Sequence, residues 1–169
     1  MPWDDRFVAL EHDLALQAEG EAHAERDQEI SDLAAERSAQ LPWADRCLGL
    51  AVTMRVVSVG TIRGELAMVT ADWALVHHDA VTDWVVALRD VVAVVPSEGT
   101  PRTSRGEVQR RMTWRQAWGA LVRDRDEVHV LRRDGSSVRG VPVVTGLDHV
   151  EIAGEIMPYD AVVAIRCPR

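Results

Sequence analysis

The 169-residue sequence contains no lysine and no asparagine, and only two cysteines, one phenylalanine and one tyrosine. Both missing residues use codons that begin with two adenines, so a GC-rich genome explains their absence better than selection for arginine chemistry does. Cys47 and Cys167 do not form a CxxC pattern, so neither a disulfide framework nor a zinc site has support. We expect both thiols to be buried, and we expect no metal and no cofactor.

Long apolar runs are also missing. No stretch approaches the roughly 18 residues that cross a bilayer, and the N-terminus begins Met-Pro-Trp-Asp-Asp, without a basic flank or an apolar signal core. We therefore expect a cytoplasmic protein. Apolar residues make up 47% of the chain, which is enough to bury a core.

Negative charge is concentrated at one end of the chain. The net charge is −8, and residues 1–46, with twelve acidic residues and four arginines, carry the whole surplus. Residues 6–39 are rich in Ala, Glu, Gln, Leu and Arg and contain no proline, which predicts a long helix. This helix either folds back on its own domain or docks on a partner or a second copy. Its apolar docking stripes are formed by Phe7, Leu10 and Leu14 and by Ile30, Leu33 and Ala34.

The rest of the chain contains one pattern twice. The first copy consists of Trp43, Cys47 and Leu50, then Arg63-Gly64, Asp72 and the valine-rich segment 90–95. The second consists of Trp114, Trp118 and Leu121, then Arg139-Gly140, Asp148 and segment 160–165. The first three residues of each copy have the spacing of one helical face, and Thr113 with Gln116 fits a capping box. Alternating apolar and polar residues with tight turns follow, so each copy is predicted to be a short helix and a small antiparallel barrel.

These motifs resemble the Sm-like and related SH3-like small barrels. A short helix leads into V-x-M-x-V, then R-G-x-L-x-x-V-x-x-D-W-x-L-V, then A-L-R-D-V-V-A-V, over residues 41–95 and, more faintly, 113–165. The resemblance implies the barrel fold and, for Sm-like proteins, binding of single-stranded RNA. The family's RNA-contact residues do not carry over, because Trp73 and His149 follow the two aspartates where the family has asparagine. The whole chain is also similar to a set of proteins from GC-rich bacteria that begin Met-Pro-Trp-Asp-Asp.

The expected fold class is mostly β with helices (α+β): a long N-terminal helix followed by two tandem helix-plus-small-antiparallel-barrel repeats. Four regions follow from this expectation. They are an acidic helical arm (1–40), a first Sm/SH3-like repeat (41–96), an Arg/Pro/Ser-rich linker (97–112) and a second repeat (113–169).

A basic cluster lies in the linker and the helix after it. Its arginines can track the phosphates of a nucleic acid or pair with the acidic N-terminal helix, and charge complementarity favours the second. The candidates are Arg102, Arg105, Arg110, Arg111 and Arg115. Trp84, in the longer hairpin of the first repeat, is the candidate for an exposed aromatic that stacks on a base or fills a partner's pocket.

Other polar residues give weaker signals. Adjacent strand residues point to opposite faces, so His77 and His78 cannot easily share one metal ion with Asp79. Asp72 and Asp148 are more typical of strand-ending turns than of paired catalytic acids. No G-x-S-x-G, P-loop or H-E-x-x-H pattern occurs, so we expect no enzyme.

The sequence therefore predicts a non-enzymatic cytoplasmic binding or assembly module that contacts a protein partner, or itself, through its N-terminal helix. The alternative is an Sm-like RNA-binding regulator that uses the arginine-rich linker and Trp84. A second alternative is an enzyme with an unrecognised site. Neither a membrane nor a small-molecule substrate is indicated.

Overall fold

The computed structural model describes residues 42–102 and 110–168, together with Arg26, Gln28 and Ile30. The chain divides into two compact units, Met1–Pro42 and Trp43–Arg169. Within the described residues, no helix is both long enough and apolar enough to cross a membrane.

Both repeats have the same order of elements, except that the long strand β2 of the first corresponds to two short strands, β7 and β8, of the second. The first contains helix α1 (Trp43–Cys47) and strands β1 (Ala51–Val56), β2 (Gly60–Val69), β3 (Trp73–His77), β4 (Thr82–Ala87) and β5 (Val91–Pro96). The second contains helix α2 (Trp114–Asp124) and strands β6 (Val128–Arg132), β7 (Ser137–Gly140), β8 (Pro142–Thr145), β9 (His149–Ile152), β10 (Glu155–Pro158) and β11 (Val162–Pro168). A single 3-10 turn precedes the last strand of each repeat, at Leu88–Asp90 and at Tyr159–Ala161.

Helix α2 illustrates how local sequence sets an element. The Gln116 side chain accepts a hydrogen bond from the Thr113 backbone N–H at 2.8 Å, which confirms the predicted capping box. Trp114 and Trp118, four residues apart on one face, are both buried. The helix ends at Arg125, whose left-handed backbone (φ 58°) stops the turn.

Matching hydrogen bonds fix which residues of the repeats are equivalent. The Leu88 N–H donates to the Asp72 carbonyl at 2.9 Å, and the Tyr159 N–H donates to the Asp148 carbonyl at the same distance. The last strand of each repeat pairs with the first, and a bulge interrupts both pairings at the second residue after the 3-10 turn. Leu88 is therefore equivalent to Tyr159, and Asp90 to Ala161. The sequence match of Asp90 with Asp160 is wrong by one residue, because it implies a hairpin six residues longer in the first repeat, whereas the hydrogen bonds show a difference of five.

The strands form two sheets, and all pairings are antiparallel. The larger has eight strands in the order β5-β1-β2-β3-β4-β11-β6-β7, and the smaller has the order β10-β9-β8. Strand β4 of the first repeat pairs directly with β11 of the second. We call this pairing the seam.

The seam makes the predicted fold class wrong. The molecule is mostly β, and one large antiparallel sheet runs through both repeats where two tandem helix-plus-barrel repeats were expected. Strand pairing satisfies backbone N–H and C=O groups that two separate barrels would leave unpaired at their edges. The described residues contain two α-helices and no long N-terminal one; the helix predicted for residues 6–39 lies, except for three residues, outside the described part.

Each hydrophobic core contains residues that the other repeat contributes across the seam. Val163 and Ala164 of β11 lie in the core of the first repeat, and Val85 and Ala87 of β4 lie in the core of the second. All four are less than a tenth exposed. Because the cores share residues, the two repeats bury their apolar surface jointly.

The tryptophans and cysteines complete the two cores. Trp118 in the second repeat is fully buried, whereas Trp43 in the matching helix of the first repeat is 40% exposed. Cys47 and Cys167 are free and buried, as expected. Burial raises the pKa of Cys167 to about 12, so this thiol is not an activated nucleophile.

Candidate functional site

The seam aligns β4 and β11 over five residue pairs. Three of them place Val86 opposite Ala164, Val85 opposite Ile165 and Trp84 opposite Arg166. Side chains on one face of this ribbon enter the first core, and those on the other enter the second. The edge of β4 thus pairs with β11, and the alternation of side chains between the two cores sets the register of this pairing.

Polar contacts close the end of the seam where the two 3-10 turns meet. The guanidinium of Arg89 forms an ion pair with Asp160 and donates a second hydrogen bond to the Tyr159 carbonyl at 3.1 Å. Arg89 and Asp160 occupy equivalent positions in the two turns. One position therefore carries opposite charges in the two repeats, and these charges meet at the seam.

A second ion pair joins the repeats beside the first. Arg133, in the β6–β7 turn, donates to the buried carboxylate of Asp90, with N–O distances of 3.0 and 3.1 Å. The Arg133 carbonyl accepts a hydrogen bond from the Ser58 hydroxyl at 2.9 Å. A charged partner for a buried carboxylate offsets much of its desolvation, so this contact fixes the relative position of the two turns.

A cleft of about 620 Å³ opens where the two turns meet. Asp72 and Asp148, the matched aspartates of the repeats, both line it, together with Arg89, Arg115 and Asp160. The turn at Asp72 is capped by Thr70, whose hydroxyl accepts hydrogen bonds from the N–H groups of Asp72 (3.2 Å) and Trp73 (3.0 Å). The cleft thus mixes both signs of charge.

Two groups at the cleft have shifted pKa values. A hydrogen bond with the His149 ring, 2.9 Å away, lowers the pKa of Asp148 below its ordinary value. Desolvation raises the pKa of Tyr159, and its hydroxyl donates to the Gly146 carbonyl at 3.0 Å. At neutral pH the first is therefore an anion and the second a neutral structural donor.

Two other strand edges are apolar and exposed. Strand β5 is the outer strand of the large sheet, and β10 is an outer strand of the small one. Val92 on β5 is 60% exposed although its equivalent Val163 is fully buried, and Ile156 on β10 is 69% exposed although its equivalent Val85 is only 7% exposed. The exposed residues occupy the positions that cross the seam elsewhere in the same molecule.

The structure distributes the predicted basic cluster over separate contacts. Arg102 pairs with Glu65 at 3.0 Å and Arg110 pairs with Asp45 at 2.9 Å, while Arg115 lines the cleft. Arg111 is exposed, and Arg105 lies outside the described residues. Arg102 and Arg110 of the linker thus contact acidic groups of the first repeat.

The predicted aromatic and helical contacts have different locations. Trp84 lies on β4 at the seam, is partly buried and packs against the first core. Ile30 is 65% exposed. The other residues of the predicted helical docking stripes, Phe7, Leu10, Leu14 and Leu33, lie outside the described residues, so docking through them stays a prediction.

The adjacent histidines of the first repeat bind separate groups. The Nδ1 atom of His77 lies 2.8 Å from the Asp83 carboxylate, and that of His78 lies 2.6 Å from the Arg63 carbonyl. Across the described ranges, no group of three or more His, Cys, Asp or Glu side chains is placed to hold a metal ion.

Sequence reasoning missed four residues of this site: Arg89, Asp160, Val92 and Ile156. One usable signal was present for the valine. Residues 91–95 are apolar without interruption, a pattern typical of a strand that is covered on both faces. Assigned to the end of a small barrel, the segment was not recognised as an edge with one face left uncovered.

No protein-family model matches this sequence, and no curated protein does so either.

Proposed function

We propose that this protein is a non-enzymatic binding and assembly module that holds a protein partner by pairing strands with the open edges of its sheets. The observation that carries the proposal is the exposure of Val92 and Ile156, whose equivalents are buried at the seam. At the seam of the same chain, an edge of this kind is already paired with another strand. Addition of a strand to a sheet edge is a recurrent mode of protein recognition.

The composition of β5 supports this role. Natural proteins protect exposed edges with charged residues, bulges or covering elements, because an unprotected edge pairs with other chains. Strand β5 has the sequence Val-Val-Ala-Val-Val-Pro, with no charged residue. Its outward face is thus suited to a partner strand rather than to water.

The polar groups described above favour binding over chemistry. Arg89 is held by Asp160 and by a carbonyl, the Tyr159 hydroxyl is bonded, and the Cys167 thiol has a pKa of about 12. Such groups hold structure; a catalytic nucleophile needs the opposite shift. Two free cysteines are also compatible with the reducing cytoplasm, which we retain as the proposed compartment.

Peptides that copy the open strands test the proposal. We expect a labelled peptide of residues 89–98 to bind the protein saturably in fluorescence anisotropy, because it can pair with β10. The matched control is the same peptide N-methylated at alternate residues, which keeps the side chains but lacks the N–H donors on one edge. Equal binding of the two peptides, or no binding by either, would contradict strand addition.

RNA binding is the alternative that the same protein preparation tests. Because Arg102 and Arg110 are already paired with carboxylates, we expect mixed-sequence single-stranded RNA to bind no tighter than the non-specific range of about 10⁻⁴–10⁻⁶ M at physiological salt. The double variant Arg110→Ala/Arg111→Ala should bind alike. Tighter, steeply salt-dependent binding that this variant loses would replace the assembly proposal with an RNA-binding one.

A further inference from the structure

We propose that Arg166, His129 and Arg139 form a binding site for the phosphate monoester of a small organic molecule. The three residues lie on adjacent strands of the large sheet, β11, β6 and β7. The proposal goes beyond the assembly role, because it concerns a ligand on a sheet face and does not depend on strand addition.

Strand register places the three basic side chains side by side. Arg166 is directly opposite His129, and His129 is directly opposite Arg139. Directly opposite residues of an antiparallel pair point to the same face of the sheet. Because neighbouring strands are about 4.8 Å apart, the three residues form a line roughly 10 Å long. We call this line the basic row.

The basic row continues a line of side chains that begins in the first core. Trp84 on β4 is opposite Arg166, and Val76 on β3 is opposite Trp84. Val76 is fully buried in the first core, and Trp84 is partly buried against it. Arg166 and Arg139 are both exposed. The line therefore reaches solvent at the basic row, where a ligand has access to it.

The basic row carries positive charge that the described part of the chain does not neutralise. No hydrogen bond or ion pair joins the side chains of the row to another described residue. Other arginines do have carboxylate partners: Arg102 pairs with Glu65 at 3.0 Å, and Arg132 pairs with Glu155 at 2.6 Å. In the row, two guanidiniums flank an imidazole, which cannot neutralise either of them. An anion bound across the row supplies the missing charge.

A depression of about 250 Å³ collects the three side chains of the basic row. Val81 and Pro168 add apolar lining, and Glu127 is the one carboxylate there. The two arginines outnumber this carboxylate, so the lining keeps a net positive charge. The volume lies below the roughly 300 Å³ at which pockets for drug-sized ligands begin. It therefore suits a phosphate group with a small organic body.

The side chains of the basic row match a phosphate monoester. A guanidinium donates two parallel hydrogen bonds to phosphate oxygens, and an imidazole between two guanidiniums donates a further one. A monoester carries a charge of about −1.5 to −2 at pH 7, whereas each phosphate diester of a nucleic acid carries about −1. Two arginines thus favour the monoester. The apolar lining favours an ester over free phosphate, because it can contact the organic group.

Titration of the ¹⁵N-labelled full chain, followed by NMR at low ionic strength, tests the site with simple probes. Methyl phosphate should bind saturably with a Kd of about 1 mM or tighter, and the shifted signals should include those of the basic row. Dimethyl phosphate should bind at least about tenfold more weakly, because it has one negative charge. Inorganic phosphate should bind more weakly than methyl phosphate, since it lacks the organic group.

Substitutions in the basic row should weaken binding of methyl phosphate. Arg139→Ala and Arg166→Ala should each weaken it about tenfold or more, and the double variant should abolish it. Arg166→Lys should retain only part of the affinity, because lysine keeps the charge but not the paired donors. Arg55→Ala is the matched control and should bind like wild type, since Arg55 is exposed on β1 opposite Thr61 and Ala93. All of these positions are exposed, so the variants should keep the wild-type Tm.

The outcomes separate this site from the assembly role. No saturation by methyl phosphate up to about 10 mM, or equal binding by wild type and the double variant, would overturn the site. Equal affinity for dimethyl phosphate would replace the monoester with a nucleic-acid backbone, and equal affinity for inorganic phosphate would replace it with the free ion; either result contradicts the proposal. The double variant should still bind the peptide of residues 89–98, so loss of one function is distinguishable from loss of the other.

Discussion

Replacing Gly64 with alanine is expected to lower the free energy of unfolding by about 3 kcal/mol or more. A Cβ atom at this position would lie 2.2 Å from the His77 carbonyl oxygen and 2.8 Å from its carbon. Both atoms belong to the backbone of β3, so the clash is relieved only by moving a strand that is paired on both sides. For a chain of this size, the loss corresponds to a fall in Tm of about 6–12 °C, measurable by circular dichroism.

The second repeat supplies the matched control. Gly140 pairs with Val128 as Gly64 pairs with Val52, so the two glycines are equivalent. A Cβ atom on Gly140 would meet its nearest neighbour, Ile152 Cγ1, at 3.4 Å, which is ordinary contact. Gly140→Ala should therefore be neutral or stabilising by up to about 1 kcal/mol, because glycine in a strand costs backbone entropy. Equal effects of the two substitutions would contradict the close approach of β2 and β3.

A second large effect is expected at the seam. Val163→Asp should lower the free energy of unfolding by at least about 4 kcal/mol, because a carboxylate would enter the first core without a partner. The same substitution at the equivalent Val92 should cost no more than about 1 kcal/mol, since that side chain is 60% exposed. Urea unfolding of both variants at low protein concentration measures the difference.

If Val163→Asp fails to fold, a more conservative pair of substitutions tests the same difference in burial. Val163→Thr keeps the shape of the side chain and buries a hydroxyl, at a cost of about 1–3 kcal/mol, whereas Val92→Thr should be close to neutral. If the two threonine variants were equally stable, the seam would not exclude water and the shared cores would be wrong.

The sequence was sufficient to predict the elements of each repeat. Helical spacing located α2, and the Thr113 and Gln116 pair located its start, because both signals are local. The strands followed from alternating apolar residues, and the burial of both cysteines followed from the lack of a metal-binding or disulfide pattern. Local physics determines these features, so one sequence contains enough information.

The join between the repeats could not be predicted in the same way. Strands β4 and β11 lie about 80 residues apart in the chain, and nothing in the sequence of either strand identifies the other as its partner. The difference between Val92 and Val163 is invisible in sequence, because both belong to valine-rich final strands. The pairing of Arg89 with Asp160 was hidden by the one-residue error in the match. Trp84 was assigned to an exposed hairpin because its strand becomes central only when β11 pairs with it, and this pairing is not visible in the sequence.

Arg89 and Asp160 also make the two halves of the chain depend on each other. Two copies of the first repeat would place arginine beside arginine at the end of the seam and would leave Asp90 facing Val57 in place of Arg133. Two copies of the second repeat would place aspartate beside aspartate there. Because the two repeats differ at these positions, the contacts between them are attractive. As a result the two halves are no longer interchangeable: a chimaera built from two first repeats, or from two second repeats, would lose the ion pair that closes the junction.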